Sequence, residues 1–185
     1  MPMSRQLLRS RIASTAAVIA VLASVACTPV FNWREVPVGD GDLVALLPCK
    51  PDRAERVMPL GAESVRVDMA GCEAGGVTFA IAHAEASEPA QASAWLDAWR
   101  AATRARIAGR SVTERAGSLP RAAASPTPLR LDASAGEDAE RAPPMRVLWF
   151  ARQHPRGVSL YQATAIGQPS APDALETFFE GLRLP

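Results

Sequence analysis

Residues 145–150 read Met-Arg-Val-Leu-Trp-Phe, and no other stretch restricts the fold as much. In an extended chain Val147 and Trp149 point to one side, and Leu148 and Phe150 to the other. A strand that is apolar on both faces belongs in the middle of a sheet that is covered on both sides. The turn sequence His154-Pro155-Arg156-Gly157 separates Met145–Gln153 from Val158–Gly167, so the two runs predict a hairpin. The rest of the chain has to supply the neighbouring strands and both covers.

Five further strands are readable. Asp42–Leu47 is continuously apolar after its first residue, the pattern of a buried strand, and Glu55–Leu60 is a weaker candidate. In Ser64–Met69 the apolar Val65, Val67 and Met69 alternate with polar residues, so one face is wet. Gly71–Gly76 carries turn chemistry. In Val77–Glu85, Val77, Phe79 and Ile81 form one face; Thr78, Ala80, Ala82 and Ala84 form a face small enough for a helix to approach closely. Leu129–Ala133 is a modest strand, and the Pro- and Ala-rich 116–128 and the charged 136–144 read as loops.

Two helices are predicted. The first spans Pro89 to Ala108, with Ser87 or Glu88 as cap, Pro89 in its first turn and Gly109 at its end. Ala92, Trp95, Leu96, Trp99, Thr103 and Ile107 share one arc and read as core. Arg100 and Arg104 lie opposite and, with Arg106 and Arg110, form a basic cluster that reads as a solvated face rather than an anion site. The second helix spans Ala171–Leu182, with Ser170 and Asp173 as a capping box and Leu175, Phe178, Phe179 and Leu182 as its buried stripe. With 36 alanines and only 5% aromatic residues, the core is a few large side chains on an alanine background.

The N-terminus determines the compartment. Arg5, Arg9 and Arg11 precede a charge-free run, Ile12–Ala26, too short for a comfortable membrane span but of signal-peptide length. Ser24-Val25-Ala26 then precedes Cys27, which resembles a bacterial lipobox. The expectation is a signal peptide over 1–26, a lipidated Cys27 with a tether to residue 40, and a single α+β domain over 41–185. Ser24 stands where the lipobox prefers Leu, and Ser-Val-Ala also suits ordinary signal-peptidase cleavage, so simple secretion and an uncleaved anchor are the alternatives. Thr28, in place of the Asp that retains lipoproteins in the inner membrane, points to the periplasmic leaflet of the outer membrane. Signal removal takes three Arg and no acid, leaving a mildly acidic body with no reason to bind nucleic acid.

With Cys27 assigned to lipid (palmitate among its acyl chains), Cys49 and Cys72 remain, an even pair in an oxidising compartment, and a disulfide between them is expected. Two buried free thiols are the alternative. No Cys-x-x-Cys and no metal-ligand spacing is present, so neither a redox nor a metal site is expected. His83 closes a strand and His154 sits in a turn, far apart and without a motif, and each reads as structural. Nucleophile elbows, Walker loops and dinucleotide fingerprints are missing, so no catalytic residue and no cofactor is assigned.

Phe31-Asn32-Trp33-Arg34-Glu35-Val36, Leu46-Leu47-Pro48-Cys49-Lys50-Pro51, Tyr161-Gln162 and Phe178-Phe179 with Leu182-Arg183-Leu184 resemble an uncharacterised family of proteobacterial envelope lipoproteins. More distantly the order of elements is similar to the PsbP-like fold, which includes envelope lipoproteins of the DcrB type. That resemblance implies α+β architecture: a central, mostly antiparallel sheet with helices packed on both faces. It also implies a non-enzymatic accessory or binding module facing the periplasm, tethered to the membrane at Cys27, with an envelope protein as partner. A periplasmic enzyme or small-ligand carrier of unrecognised type is the alternative.

Overall fold

The structure is a computed structural model, and it describes residues 30–185. The signal-like segment and Cys27 lie outside the described residues. In chain order the elements are β1 (Arg34–Val38), β2 (Leu43–Leu47), β3 (Asp52–Leu60), β4 (Glu63–Ala74), β5 (Val77–Ala86), α1 (Pro89–Arg106), β6 (Val112–Ala116), β7 (Leu129–Ala133), β8 (Met145–His154), β9 (Gly157–Gly167) and α2 (Ala174–Glu180). Seven strands form one antiparallel sheet in the order β3-β4-β5-β9-β8-β7-β6, and β1 and β2 form a separate two-stranded sheet.

The doubly apolar hairpin β8–β9 is the middle of the large sheet, paired with Phe150 opposite Tyr161 and His154 opposite Gly157. Its two faces enter two separate cores. Val147, Trp149 and Leu160 pack with Trp95, Leu96 and Trp99 of α1. Leu148, Phe150 and Tyr161 pack with Phe79, with Val36, Val38, Leu43 and Leu47 of the small sheet, and with Phe178.

Helices packed on both faces are not what the chain forms. Strand accounts for 47% of the described residues and helix for 16%. One face carries α1; the other is closed by the β1–β2 sheet, with the seven-residue α2 against β2. The physical reason lies in residues expected to be tether. Val36 and Val38 are buried between exposed neighbours, and Arg34–Val38 pairs along Leu43–Leu47. A short hairpin thus occupies the place expected for a helix. The last helix is correspondingly shorter than expected. Ser170 donates its backbone N–H to Gly75 O instead of opening a capping box, and the N-cap Asp173 makes no side-chain capping bond.

Two other boundaries moved. β4 continues through Gly71 and Cys72 to Ala74, and the chain turns at Gly75-Gly76, both at positive φ, a conformation glycine adopts without steric cost. A Cβ on Gly75 would lie 2.3 Å from Phe31 Cζ, so a side chain there would have to displace the Phe31 ring. β6 carries no sequence signal of its own. All five of its residues are exposed, so it has no alternation to read, and pairing to β7 creates it.

Arg104 of α1 braces this edge strand, with Nε 2.6 Å from Glu114 Oε1 and Nη2 2.8 Å from Oε2. The hydrogen bonds from Arg104 hold the Glu114 carboxyl below its ordinary value. A lowered carboxyl pKa stabilises the fold above the unfolded-state value, and that contribution is lost as pH falls through the folded one. Both side chains are partly exposed, so Arg104→Gln is expected to cost no more than about 1 kcal/mol at pH 7. The gap between variant and wild type should close below about pH 4, measured as urea midpoints at pH 7 and pH 3.

Candidate functional site

Cys49, in the connection between β2 and β3, is joined by a disulfide to Cys72 in β4, with Cα atoms 6.0 Å apart. The bond links the small sheet's second strand to the large sheet.

His83 and His154, unrelated in sequence, flank one carboxylate. His154 Nε2 lies 2.5 Å from Glu85 Oε1, and His83 Nε2 lies 3.5 Å from Glu85 Oε2. Strand register assembles the group: His83 pairs with Tyr161 and Glu85 with Ser159, while His154 closes the β8–β9 hairpin. The Ser159 hydroxyl donates to Glu85 Oε2 at 2.9 Å, and the His83 ring stacks on Tyr161 at 5.0 Å. Burial raises the pKa of the Tyr161 phenol, which stays neutral. The group clasps the ends of β5, β8 and β9. Among the described residues no three His, Cys, Asp or Glu side chains converge on a metal position.

The basic cluster of α1 is largely occupied within the fold. Arg100 Nη2 donates to Thr127 O at 2.8 Å, Arg104 holds Glu114, and Arg110 Nη2 donates to Pro143 O at 2.7 Å. The strands put together a different set of arginines, partly exposed at Arg115 and largely buried at Arg130 and Arg146. In β6, β7 and β8 Arg115 lies opposite Arg130, and Arg146 opposite Asp132. Leu131 enters the α1 core, so Arg130 and Asp132 project to the opposite face. There three guanidiniums share one carboxylate. Arg146 Nε is 2.6 Å from Asp132 Oδ1, and Arg130 Nε and Arg115 Nη2 are 3.3 and 3.4 Å from Oδ2.

Arg130 and Arg146 also lie over the Phe179 ring of α2, at 5.2 and 5.9 Å from its centroid. Burial, and next the neighbouring Arg146, lower the Arg130 pKa. Beside Arg115 and Arg130 a cleft of about 490 Å³ opens between α2 and the chain after β6, with Leu119, Leu148, Phe179 and Leu182 among its lining residues. A second cleft of about 250 Å³ reaches Arg146 from the other side. A larger one, about 640 Å³, lies under the 135–144 loop, but Glu140 is its sole charged lining residue.

Sequence reasoning missed this set. The alternation of Leu129 and Leu131 with Arg130 and Asp132 was the available signal, and it places two of the four residues on one face. Arg115 and Arg146 join them only through register.

The fold and the cleft define an antiparallel-sheet domain with a preformed cationic recess. No protein-family model matches the chain, and no curated protein matches it. Among solved structures it is similar to the Saccharomyces cerevisiae Ran-binding protein Mog1p, determined at 1.9 Å resolution, with 10% identity and a TM-score of 0.41 over 83% of this chain and 96% of that one. No functional conclusion follows from a likeness at that level.

Proposed function

We propose that the chain is a non-enzymatic envelope lipoprotein, anchored through Cys27 in the periplasmic leaflet of the outer membrane, whose domain is a binding module for an anionic partner. The observation that carries the binding reading is the convergence of Arg115, Arg130 and Arg146 on the single Asp132 beside a cleft. A guanidinium stays charged at every physiological pH and offers a rigid fork of donors. Strands hold that fork in place. Such a site recognises an oxyanion and has no proton to transfer. The basic n-region, the run Ile12–Ala26, the lipobox-like Ser24-Val25-Ala26-Cys27 and Thr28 support the anchor and its membrane. Several acyl chains would hold it durably, at about 0.8 kcal/mol per buried methylene.

Radiolabelled palmitate is expected to enter the wild-type protein and not Cys27→Ala. Equal labelling of both, or of neither, replaces the anchor with simple secretion. The pairing of His83 and His154 across Glu85 is the observation that favours the second reading, a periplasmic enzyme. The purified mature protein is expected to show no turnover in esterase, phosphatase, glycosidase and peptidase screens. Reproducible activity that disappears in His83→Ala or His154→Ala would establish the enzyme instead.

A further inference from the structure

β3 is an outer strand of the seven-stranded sheet, and no strand among the described residues pairs with its open side. Asp52–Val57 are all exposed, and Val57, at 69%, is the most exposed large apolar residue of the described chain. An open edge of this kind is a template for another strand. The two-residue loop Gly61-Ala62 determines which groups the edge offers. Residues that flank such a loop, here Leu60 and Glu63, exchange both backbone hydrogen bonds, and bonded pairs alternate along an antiparallel ladder. Arg56, Ala54 and Asp52 therefore turn their N–H and C=O toward β4, and Val57, Glu55 and Arg53 turn theirs outward. Pro59, which has no N–H, stands on the outward side, the place where an edge strand tolerates proline.

A second copy that extends this sheet antiparallel is related to the first by a two-fold axis perpendicular to the sheet. Such an axis keeps every residue on its own face, and residues that oppose each other share a face, so the axis passes at a residue and not between two. Set at Ala54, it brings Arg53 opposite Glu55 of the second copy and Asp52 opposite Arg56, and the reverse, with Val57 opposite Pro51. Set at Asp52, Arg53, Glu55 or Arg56, it puts a like charge against itself, and at Val57 it pairs no charges. Within its own chain Arg53 donates to Pro37 O at 2.9 Å and Glu55 lies 3.3 Å from Arg66. Asp52 and Arg56 carry exposed charges with no ion-pair partner among the described residues. The opposite edge of the sheet lacks this property. Glu114 and Arg115 of β6 are adjacent, so they lie on opposite faces and never meet across such an axis, and Arg104 and Asp132 already engage them.

We infer that the β3 edge is the interface for a second copy of this chain, joined antiparallel about Ala54 into one continuous sheet. The occupant is a second copy and not an unrelated strand because the order of charges along the edge is complementary to itself. A two-fold contact closes on itself, so assembly stops at the dimer. The contact is one strand wide, and a dissociation constant of roughly 1–100 μM is expected. The inference is independent of the arginine site and of the anchor.

The test is sedimentation velocity of the mature protein, recovered from cells in dodecyl maltoside, over a range of concentrations. Exchange between monomer and dimer is expected. Asp52→Arg and Arg56→Asp each set like charges against each other and are each expected to weaken the dimer about tenfold or more. The two changes together exchange the charges and are expected to bring affinity back to within about threefold of wild type. Both side chains are exposed, so thermal midpoints should stay unchanged. A crosslink reads the register directly. Ala54 opposes itself as a non-hydrogen-bonded pair, with Cα atoms about 4.5 Å apart, within reach of a disulfide. Val57 opposes Pro51, which leaves the two Val57 Cα atoms about 20 Å apart. Under mild oxidation Ala54→Cys is expected to give a covalent dimer, and Val57→Cys is not. A wild-type protein that stays monomeric well above about 100 μM overturns the interface. A charge-exchanged variant no tighter than the single ones, or a Val57→Cys crosslink as fast as that of Ala54→Cys, overturns the register. Growth beyond the dimer overturns the two-fold contact and points to β3 against β6 of the next copy.

Discussion

Trp149→Ala is expected to lower the unfolding free energy by about 3–5 kcal/mol, the range for deleting a large aromatic side chain from a closed core. Trp149 is 0% exposed and packs among the α1-side residues of the large sheet. Its loss does two things at once. It leaves a void that the surrounding strands, fixed by pairing on both sides, are poorly placed to fill. It also strips a donor from Gln162, whose Oε1 accepts from Trp149 Nε1 at 2.8 Å and otherwise has only the Thr103 hydroxyl at 3.5 Å. Trp149→Phe keeps most of the volume and loses the donor, so about half of the effect is expected to remain. Urea unfolding followed by far-UV circular dichroism separates the variants. An alanine variant that loses less than about 1 kcal/mol would show that this face of the sheet is not closed by α1.

Removal of the Cys49–Cys72 bridge, by the double replacement with Ala, is expected to cost roughly 3 kcal/mol. The bond closes a sequence separation of 23 residues, and on the chain-entropy account its effect lies in the unfolded chain, which gains freedom when the loop is opened. For a domain of this size the melting temperature should fall by roughly 6–12 °C. The location adds a second consequence. The bridge ties the end of β2 to β4, and β1–β2 is the cover that closes the Phe79 core. Loss should therefore loosen the small sheet first, visible as faster amide exchange in residues 34–47 than in β8 and β9. Thiol counting under denaturing, non-reducing conditions checks the bond in protein recovered from cells. No alkylatable thiol at Cys49 or Cys72 is expected, and two would show an open pair.

Burial patterns explain which elements were readable. β8 and β9 carry long apolar runs, and α1 keeps Ala92, Trp95, Leu96, Trp99 and Thr103 on one arc, so each element announces its buried side locally. β1 has only Val36 and Val38 to announce it, after Phe31 and Trp33 in a stretch punctuated by Pro37 and Gly39, and it reads as tether. β6 buries nothing and announces nothing. The site was less readable than the fold for a related reason. The four arginines in and just after α1 stand close together in sequence, yet three of them hold loops and the edge strand. The three that converge on Asp132 come from three strands.

From the residues alone it follows that 145–150 lies inside a sheet covered on both faces, that an amphipathic helix starts at Pro89 and runs to about Ala108, and that Cys49 and Cys72 form an even pair once Cys27 is set aside. These are properties of a single segment or of a count, and periodicity or arithmetic is enough to state them. What covers the second face, which arginines share a carboxylate and which histidines meet at Glu85 depend on the register between strands distant in sequence. A one-residue shift would turn Arg130 and Asp132 into the α1 core and Leu131 out of it, without changing a single local pattern. Only the assembled sheet, with both of its faces buried, holds that register in place.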